Sequence, residues 1–220
     1  MAETENDIVV ETAAGVVTLP RSSVVGIQRD TVAAAQEKQV TRREEWFLVL
    51  HRGAVVGWRS TVVTERGGSV RVEERTDFFR PEGGEDASVH RIEVAGRDGR
   101  PVEFFLRERY GAGEEIVVGD VEDGRARVRV RRAGTLETRA LDLPEGWTLP
   151  LPAWAAFLDA SAPGETRAIV ALDPRRLVPT PMVLRRDADA AAPSSGDRRP
   201  CRALSLTSEA SATRALYRPG

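Results

Sequence analysis

The chain has 220 residues, 41% hydrophobic and 30% charged, with a formal net charge of −2. That length supports one domain of ordinary size, with or without a small appendage, and a core that needs no staples. Cys201 is the single cysteine, so no intrachain disulfide forms; no apolar run approaches the roughly 18 residues of a spanning helix, and the near-neutral charge leaves no electrostatic footprint for nucleic acid.

Met1 to Asp7 carry neither a basic n-region nor an apolar h-region, so they do not read as a signal peptide. On that ground the chain is cytoplasmic if Met1 is the true start. Residues 7–28 predict a hairpin and a third short strand. Ile8, Val9 and Val10 face Val16, Val17 and Leu19 across Ala13–Ala14–Gly15, and Val24–Ile27 follows. Three such strands cannot stand alone; they must dock, pair with another chain, or be the remnant of a longer module. Thr31–Lys38 predicts a short connecting helix. Residues 1–43 therefore read as a β appendage with a linker helix, and 44–220 as the main domain.

From Trp46 the hydrophobic period is 2 for about a hundred residues, broken by glycine turns. Trp46–His51 and Ala54–Glu65 form a hairpin around Arg52-Gly53, which sets Phe47 opposite Trp58 and Val49 opposite Val56. At Arg66-Gly67-Gly68 a bulged three-residue loop would pair Val62 with Val72 and Val56 with Phe78. A plain two-residue turn would instead set Val62 against Glu73, so the bulge is expected. A bulge at Arg97-Asp98-Gly99 likewise aligns Ile92 with Phe104 and Val94 with Val102. Both Gly68 and Gly99 should then have positive φ. Asp123-Gly124 fits a two-residue turn between Glu115–Glu122 and Arg125–Arg132, and Thr135–Leu143 is the next strand.

Leu149-Pro150-Leu151-Pro152 leads into a short helix over 153–159 with proline at its start. Glu165–Leu172 returns to strand, and Pro179 and Pro181 confine the next extended piece to an edge or a bulge. Residues 187–199 read as a polar loop, and strands around Cys201–Thr207 and Ala212–Tyr217 close the chain.

The residues carry no catalytic, metal or cofactor signature. His51 and His90 lack metal-ligand spacing and read as structural histidines. Cys201 has no nucleophile signature and reads as a buried thiol. No Gly-x-Ser-x-Gly, Walker loop or Ser-x-x-Lys occurs, and Gly111-x-Gly113 is a turn between strands. Glu73, Glu74 and Asp77 could form a general acid/base pair, but Arg71 and Arg75 share their strand, the pattern of solvated cross-strand pairs. Arg125, Arg127, Arg129 and Arg131 line one face of one strand. They could bind an anionic polymer or headgroup, or be neutralised within the sheet by Glu122 and Asp120. Trp58, Phe78, Phe104, Trp154 and Phe157 would cluster if the short helix packs across a curved sheet, as a plain core or as an apolar pocket under a helical lid.

The run Glu45-Trp46-Phe47-Leu48-Val49-Leu50-His51-Arg52-Gly53-Ala54-Val55-Val56-Gly57-Trp58 resembles the start of a β-sheet domain of bacterial cell-envelope proteins. That domain occurs in uncharacterised exported proteins and ahead of transglutaminase-like domains. The likeness continues through Gly99-Arg100-Pro101-Val102-Glu103-Phe104, Leu143-Pro144 to Phe157, and Pro163-Gly164-Glu165-Thr166, and spans about residues 44–218. It implies an architecture similar to the half-barrel lipoprotein carriers of the periplasm, a curved antiparallel sheet with a helical plug, and a cell-envelope location. No transglutaminase cysteine-histidine-aspartate core is present, so that activity does not carry over. Ile8–Ile27 resembles the last strands of a small SH3-like barrel whose first strands are missing, which implies a trimmed or internally started chain.

The expected fold is therefore mainly β, a curved antiparallel sheet or half-barrel with one short helix packed on it and a small N-terminal appendage. The expected function is a non-enzymatic cell-envelope binding or scaffolding module with an apolar concavity for a lipid-like or peptide ligand. The alternative is a structural or regulatory domain of a larger assembly, with a filled core and a protein partner at its strand edges or N-terminal strands. A cavity above ~300 Å³ beside Trp154 would favour binding; a filled interior would favour the structural domain.

Overall fold

Alternating hydrophobicity interrupted by short glycine turns has one economical outcome, a meander in which each strand pairs with the next. A computed structural model describes residues 2–3, 7–12, 15–20, 40–51, 54–79, 87–191, 200–208 and 212–217. The protein is mainly β, built from antiparallel sheets that do not close into a barrel, with one short helix among the described residues. Strands β1 (Ala2–Glu3), β2 (Asp7–Thr12) and β3 (Gly15–Pro20) form a small sheet. The expected hairpin is there, with Val10 opposite Val17 and Ile8 opposite Leu19. The short strand Ala2–Glu3 also pairs with β2. The strand expected at Val24–Ile27 and the helix expected at Thr31–Lys38 lie outside the described residues.

The large sheet contains β4 (Val40–His51), β5 (Ala54–Arg66), β6 (Ser69–Phe78), β7 (Ala87–Gly96), β8 (Pro101–Tyr110), β9 (Gly113–Glu122), β10 (Arg125–Arg132) and β11 (Thr135–Asp142), in chain order. After helix α1 (Pro150–Ala160), strands β12 (Thr166–Asp173), β13 (Val178–Ala191), β14 (Pro200–Ser208) and β15 (Ala212–Tyr217) form a four-stranded meander. Residues 187–191, expected in a loop, extend β13 past an irregularity between Asp187 and Ala190, and 192–199 lie outside the described residues. β13 is an interior strand, yet Pro179 and Pro181 fit there. They pair with Leu172 and Val170 of β12 beyond the last β14 partner, Ser208 opposite Met182. Arg186 exchanges bonds with Gly164 and Glu165, so alternation turns the nitrogens of odd-numbered β13 residues away from β12.

Three registers differ from expectation. Gly67 and Gly68 have φ of 55° and 79°, and Val62 lies opposite Glu73. This is a two-residue turn with both centres left-handed, whose twist matches that of the strands, so no bulge is needed. The positive φ of Gly68 thus belongs to the turn. At Gly99, φ is 82° and the bulge exists, but it falls between Val94 and Ala95, which sets Ile92 against Phe105 and Glu93 against Phe104. In β4 a shift between Val49 and Leu50 places Leu48, not Phe47, opposite Trp58, and Val49 opposite Gly57; the Arg52-Gly53 turn itself lies outside the described residues. The Asp123-Gly124 turn is as expected, with φ of 49° and 77° and Glu122 opposite Arg125.

These registers align a row across six strands: Val63, Val72, Glu93, Phe104, Gly119 and Val128. Gly119 is there because a Cβ would lie 2.2 Å from the Phe104 ring. Phe104 packs with Leu106, Val117, Val128, Trp147, Leu149 and Leu172. α1 continues the core on two sides. Leu151 and Ala155, one turn apart, pack on Val63 and Val72 of the large sheet; Trp154, Phe157 and Leu158 pack on Leu184 and Leu204 of the four-stranded sheet. A helix apolar on both sides belongs between two layers.

The helix is longer than expected by a turn, with Pro150 and Pro152 inside its first turn. Proline has no N–H, so neither leaves an orphan donor. Ala153 N–H donates to Leu149 O at 3.2 Å, and Leu151 N–H donates to Glu93 Oε2 at 2.7 Å. Glu93 is 0% exposed and also accepts from Arg91 Nε at 2.5 Å.

Two substitutions test this packing by chemical denaturation. Gly119→Ala should destabilise by about 1–3 kcal/mol, the usual range for overpacking a filled core. Glu93→Leu strands both Arg91 and the Leu151 N–H and should cost about 3 kcal/mol or more, whereas Glu93→Gln keeps an acceptor and should cost less.

Candidate functional site

The five aromatic residues do not gather in one place. Phe104 sits in the core under Trp147, while Trp154 and Phe157 belong to the cluster that α1 forms with β13 and β14. Trp58 and Phe78 are half-buried, and neither is among the described members of those clusters. The β5–β6 register sets Trp58 opposite Asp77 and Phe78 opposite Gly57, so Trp58 points to the opposite face of the sheet from Phe78 and Phe104.

Among the described residues a concavity with room for a ligand lies on the four-stranded sheet. It is an open groove of about 720 Å³ whose lining includes Gly146, Ala168, Ile169, Val170, Met182 and Val183. The lining runs from β12 (Ala168–Val170) across β13 (Pro181–Val183) to the end of β14 (Thr207 and Ser208), so the groove crosses the sheet and has the edge strand β12 as one side. Ala168 pairs with Val183 and Val170 with Pro181, which makes a continuous apolar outer wall; Val170 is 37% exposed and Val183 45%. On the inner face Ile169 packs against the Trp154 cluster and ties the groove to the core.

The edge of β12 is half closed. Thr148 N–H donates to Val170 O at 2.9 Å, and Leu172 N–H donates to Thr148 O at 3.0 Å. By alternation, Thr166 and Ala168 turn their backbone groups to that same side. Among the described residues no backbone hydrogen bond reaches them there. The signal in the sequence was Ala168-Ile169-Val170-Ala171-Leu172, apolar on both faces of what proves to be an edge strand.

Most of the polar candidates are paired within the sheet. Glu73 is held by Arg71 at 2.8 Å, Arg75 at 2.7 Å and His90 Nε2 at 2.9 Å. Burial alone would raise its pKa, but the bond from Arg75, the charge of Arg71 and the bond to His90 hold it below the ordinary carboxylate value. Burial pushes His90 below its ordinary value against the opposing pull of Glu73, and its ring meets Phe105 edge-on at 5.4 Å. Glu74 lies on the other face and pairs with Arg59 at 3.3 Å. In the arginine stripe the register against β9 is as expected, but the partners differ: Arg129 meets Asp120 at 3.0 Å and Arg131 meets Glu114 at 2.8 Å, both diagonally, while Arg125 meets Asp142, directly opposite it on β11, at 3.3 Å. No group of three or more His, Cys, Asp or Glu side chains among the described residues is placed to hold a metal. The side chains of His51 and Cys201 lie outside the described residues.

No protein-family model matches the chain, and neither a curated protein nor a solved structure matches it.

One charged cluster joins both sheets to the helix. Arg43 of β4 lies 3.4 Å from Glu45 and donates to Asp159 at the end of α1 at 2.7 Å, with Arg202 of β14 also acting on Glu45. Burial pushes Glu45 up from 4.5 to about 7; Arg43 and Arg202 oppose the shift and Asp159 adds to it. A raised acid binds its proton more tightly in the folded state, so its stabilising effect is complete below about 4.5 and lost as pH rises through about 7. Glu45→Gln should therefore flatten that decline. Urea midpoints at pH 5 and pH 8 should differ less in the variant than in the wild type, and equal differences would contradict the assignment.

Proposed function

We propose that the chain is a non-enzymatic binding or scaffolding module that takes an extended apolar peptide along the β12 groove, in the cell envelope as the family resemblance implies. The observation that carries this reading is the coincidence of two features at one place, an apolar groove of about 720 Å³ and a half-unpaired strand edge. A strand edge supplies main-chain donors and acceptors, and pockets beside it select alternate side chains, which is how extended peptides are recognised. A peptide fits better than an enclosed lipid because the interior is occupied: Phe104, Phe157, Leu149, Leu158, Leu172, Leu184 and Leu204 are fully buried. The same filled interior favours the second reading, a structural or regulatory domain without a small ligand.

The test is fluorescence anisotropy with labelled ten-residue peptides of alternating Val/Ile and Thr, beside Gly/Ser controls. Binding should weaken about tenfold or more, some 1.4 kcal/mol, in Val183→Asp and Val170→Asp. No binding by any peptide, with a bare mass in native mass spectrometry of freshly purified protein, would leave the structural domain. A co-purified lipid mass would favour the lipid-like ligand instead.

A further inference from the structure

We propose that β11 is a self-pairing edge: two copies of this chain join their large sheets antiparallel, β11 to β11, about a two-fold axis at Thr138. β11 is the last strand of the eight-stranded sheet and is bonded on its inner side to β10 through eight consecutive residue pairs without a bulge. Among the described residues no backbone hydrogen bond reaches its outer side. Edge strands normally guard against association with proline, lysine, a bulge, or a charge turned inward. β11, Thr-Leu-Glu-Thr-Arg-Ala-Leu-Asp, has no proline, lysine or bulge, and every side chain except Leu141 is exposed. Its two mid-strand charges have opposite sign.

Those charges select both the partner and the register. Glu137 and Arg139 stand two residues apart on one face and already bond at 2.6 Å. In a two-fold antiparallel pair, residues equally far from the axis lie opposite one another. An axis at Glu137 would set glutamate against glutamate, and one at Arg139 arginine against arginine; both are destabilising. An axis at Thr138 sets Glu137 against Arg139 of the second copy, and Arg139 against its Glu137. The four charges then form a square with alternating signs at its corners. On the other face the same register places Thr138 against Thr138, and Leu136, 51% exposed, against Ala140. Opposite charges and threonine pairs directly across a strand pair are each favourable. The β12 edge lacks this self-complementarity and is partly closed by Thr148.

A single strand pair is a small interface, so assembly is read at high protein concentration. Sedimentation equilibrium of the full chain should show a dimer that grows with concentration. Glu137→Arg and Arg139→Glu should each sediment as monomers, because each creates like charges across the axis. An equimolar mixture of the two should recover a dimer, since every charge on one variant then faces its opposite on the other. In a Cys201→Ser background, Thr138→Cys should cross-link to itself on mild oxidation and Leu136→Cys should not. Circular dichroism matching the wild type confirms that each variant folds. A wild type monomeric at its highest soluble concentration, single variants that dimerise as the wild type does, a mixture that stays monomeric, or Leu136→Cys cross-linking as readily as Thr138→Cys would each overturn the proposal.

Discussion

A carboxylate with no exposed surface lies under the first turn of α1, and the arrangement of the two larger sheets follows from what it binds. Burial raises the Glu93 pKa, and the Arg91 charge and the Leu151 N–H pull it back. Leaving such a group unpaired would be costly, so its partners are constrained as strictly as it is. Pro150 and Pro152 remove two of the donors that a helix start leaves unsatisfied, and the one between them points at Glu93. With its N-terminus fixed on β7, the helix has one orientation that seats Leu151 and Ala155 on the large sheet. Trp154, Phe157 and Leu158 are then left for the four-stranded one. Two ionic contacts strengthen the same junction. Arg175, in the turn after β12, donates to both oxygens of Glu108 at 2.6–3.0 Å and to the Tyr110 hydroxyl at 2.7 Å, and Arg43 reaches Asp159 across the helix end.

Strand positions were legible in the sequence because period-2 alternation and glycine turns are local signals. Three of the registers were not, because a one-residue slip preserves every local feature while it exchanges the faces. At Gly67-Gly68 the apolar pairing of Val62 with Val72 argued for a bulge; the turn chemistry argued against it and prevails. The buried pair is Val63 with Val72, and Val62 with Glu73 lies on the other face. Glu93 shows why pattern alone misleads here. A glutamate between Ile92 and Val94 marks a solvent face by alternation, yet it sits at the centre of the core because a helix 58 residues later brings a donor to it.

The candidate site was less legible than the fold for the same reason. Trp58, Phe78 and Phe104 share a plausible face only in the bulged register, and once the two-residue turn fixes β5 against β6, Trp58 points away. Helical spacing puts Trp154 and Phe157 on one side of the helix, but that side meets the four-stranded sheet, whose position no local pattern encodes. The groove residues Ile169, Val170, Met182 and Val183 read in sequence only as strand, the latter two as an edge or bulged piece after Pro179 and Pro181. They line a groove because the face that carries Val170 and Val183 is left exposed, whereas Ile169 turns to the Trp154 cluster.

Filling the interior moves any recognition to the periphery. A meander of eight strands and one of four, left open, has strand edges by construction, and each must be covered, charged or used. The β12 edge is covered over Val170–Leu172 by the segment that leads into α1, so the Glu93–Leu151 contact that seats the helix also determines how much of that edge remains open. Among the described residues the β11 edge has no such cover, and what guards it is the alternation of Glu137 and Arg139. Alternating signs repel a strand of uniform charge but accept their own antiparallel image, so the residues that guard this edge against most partners also specify one.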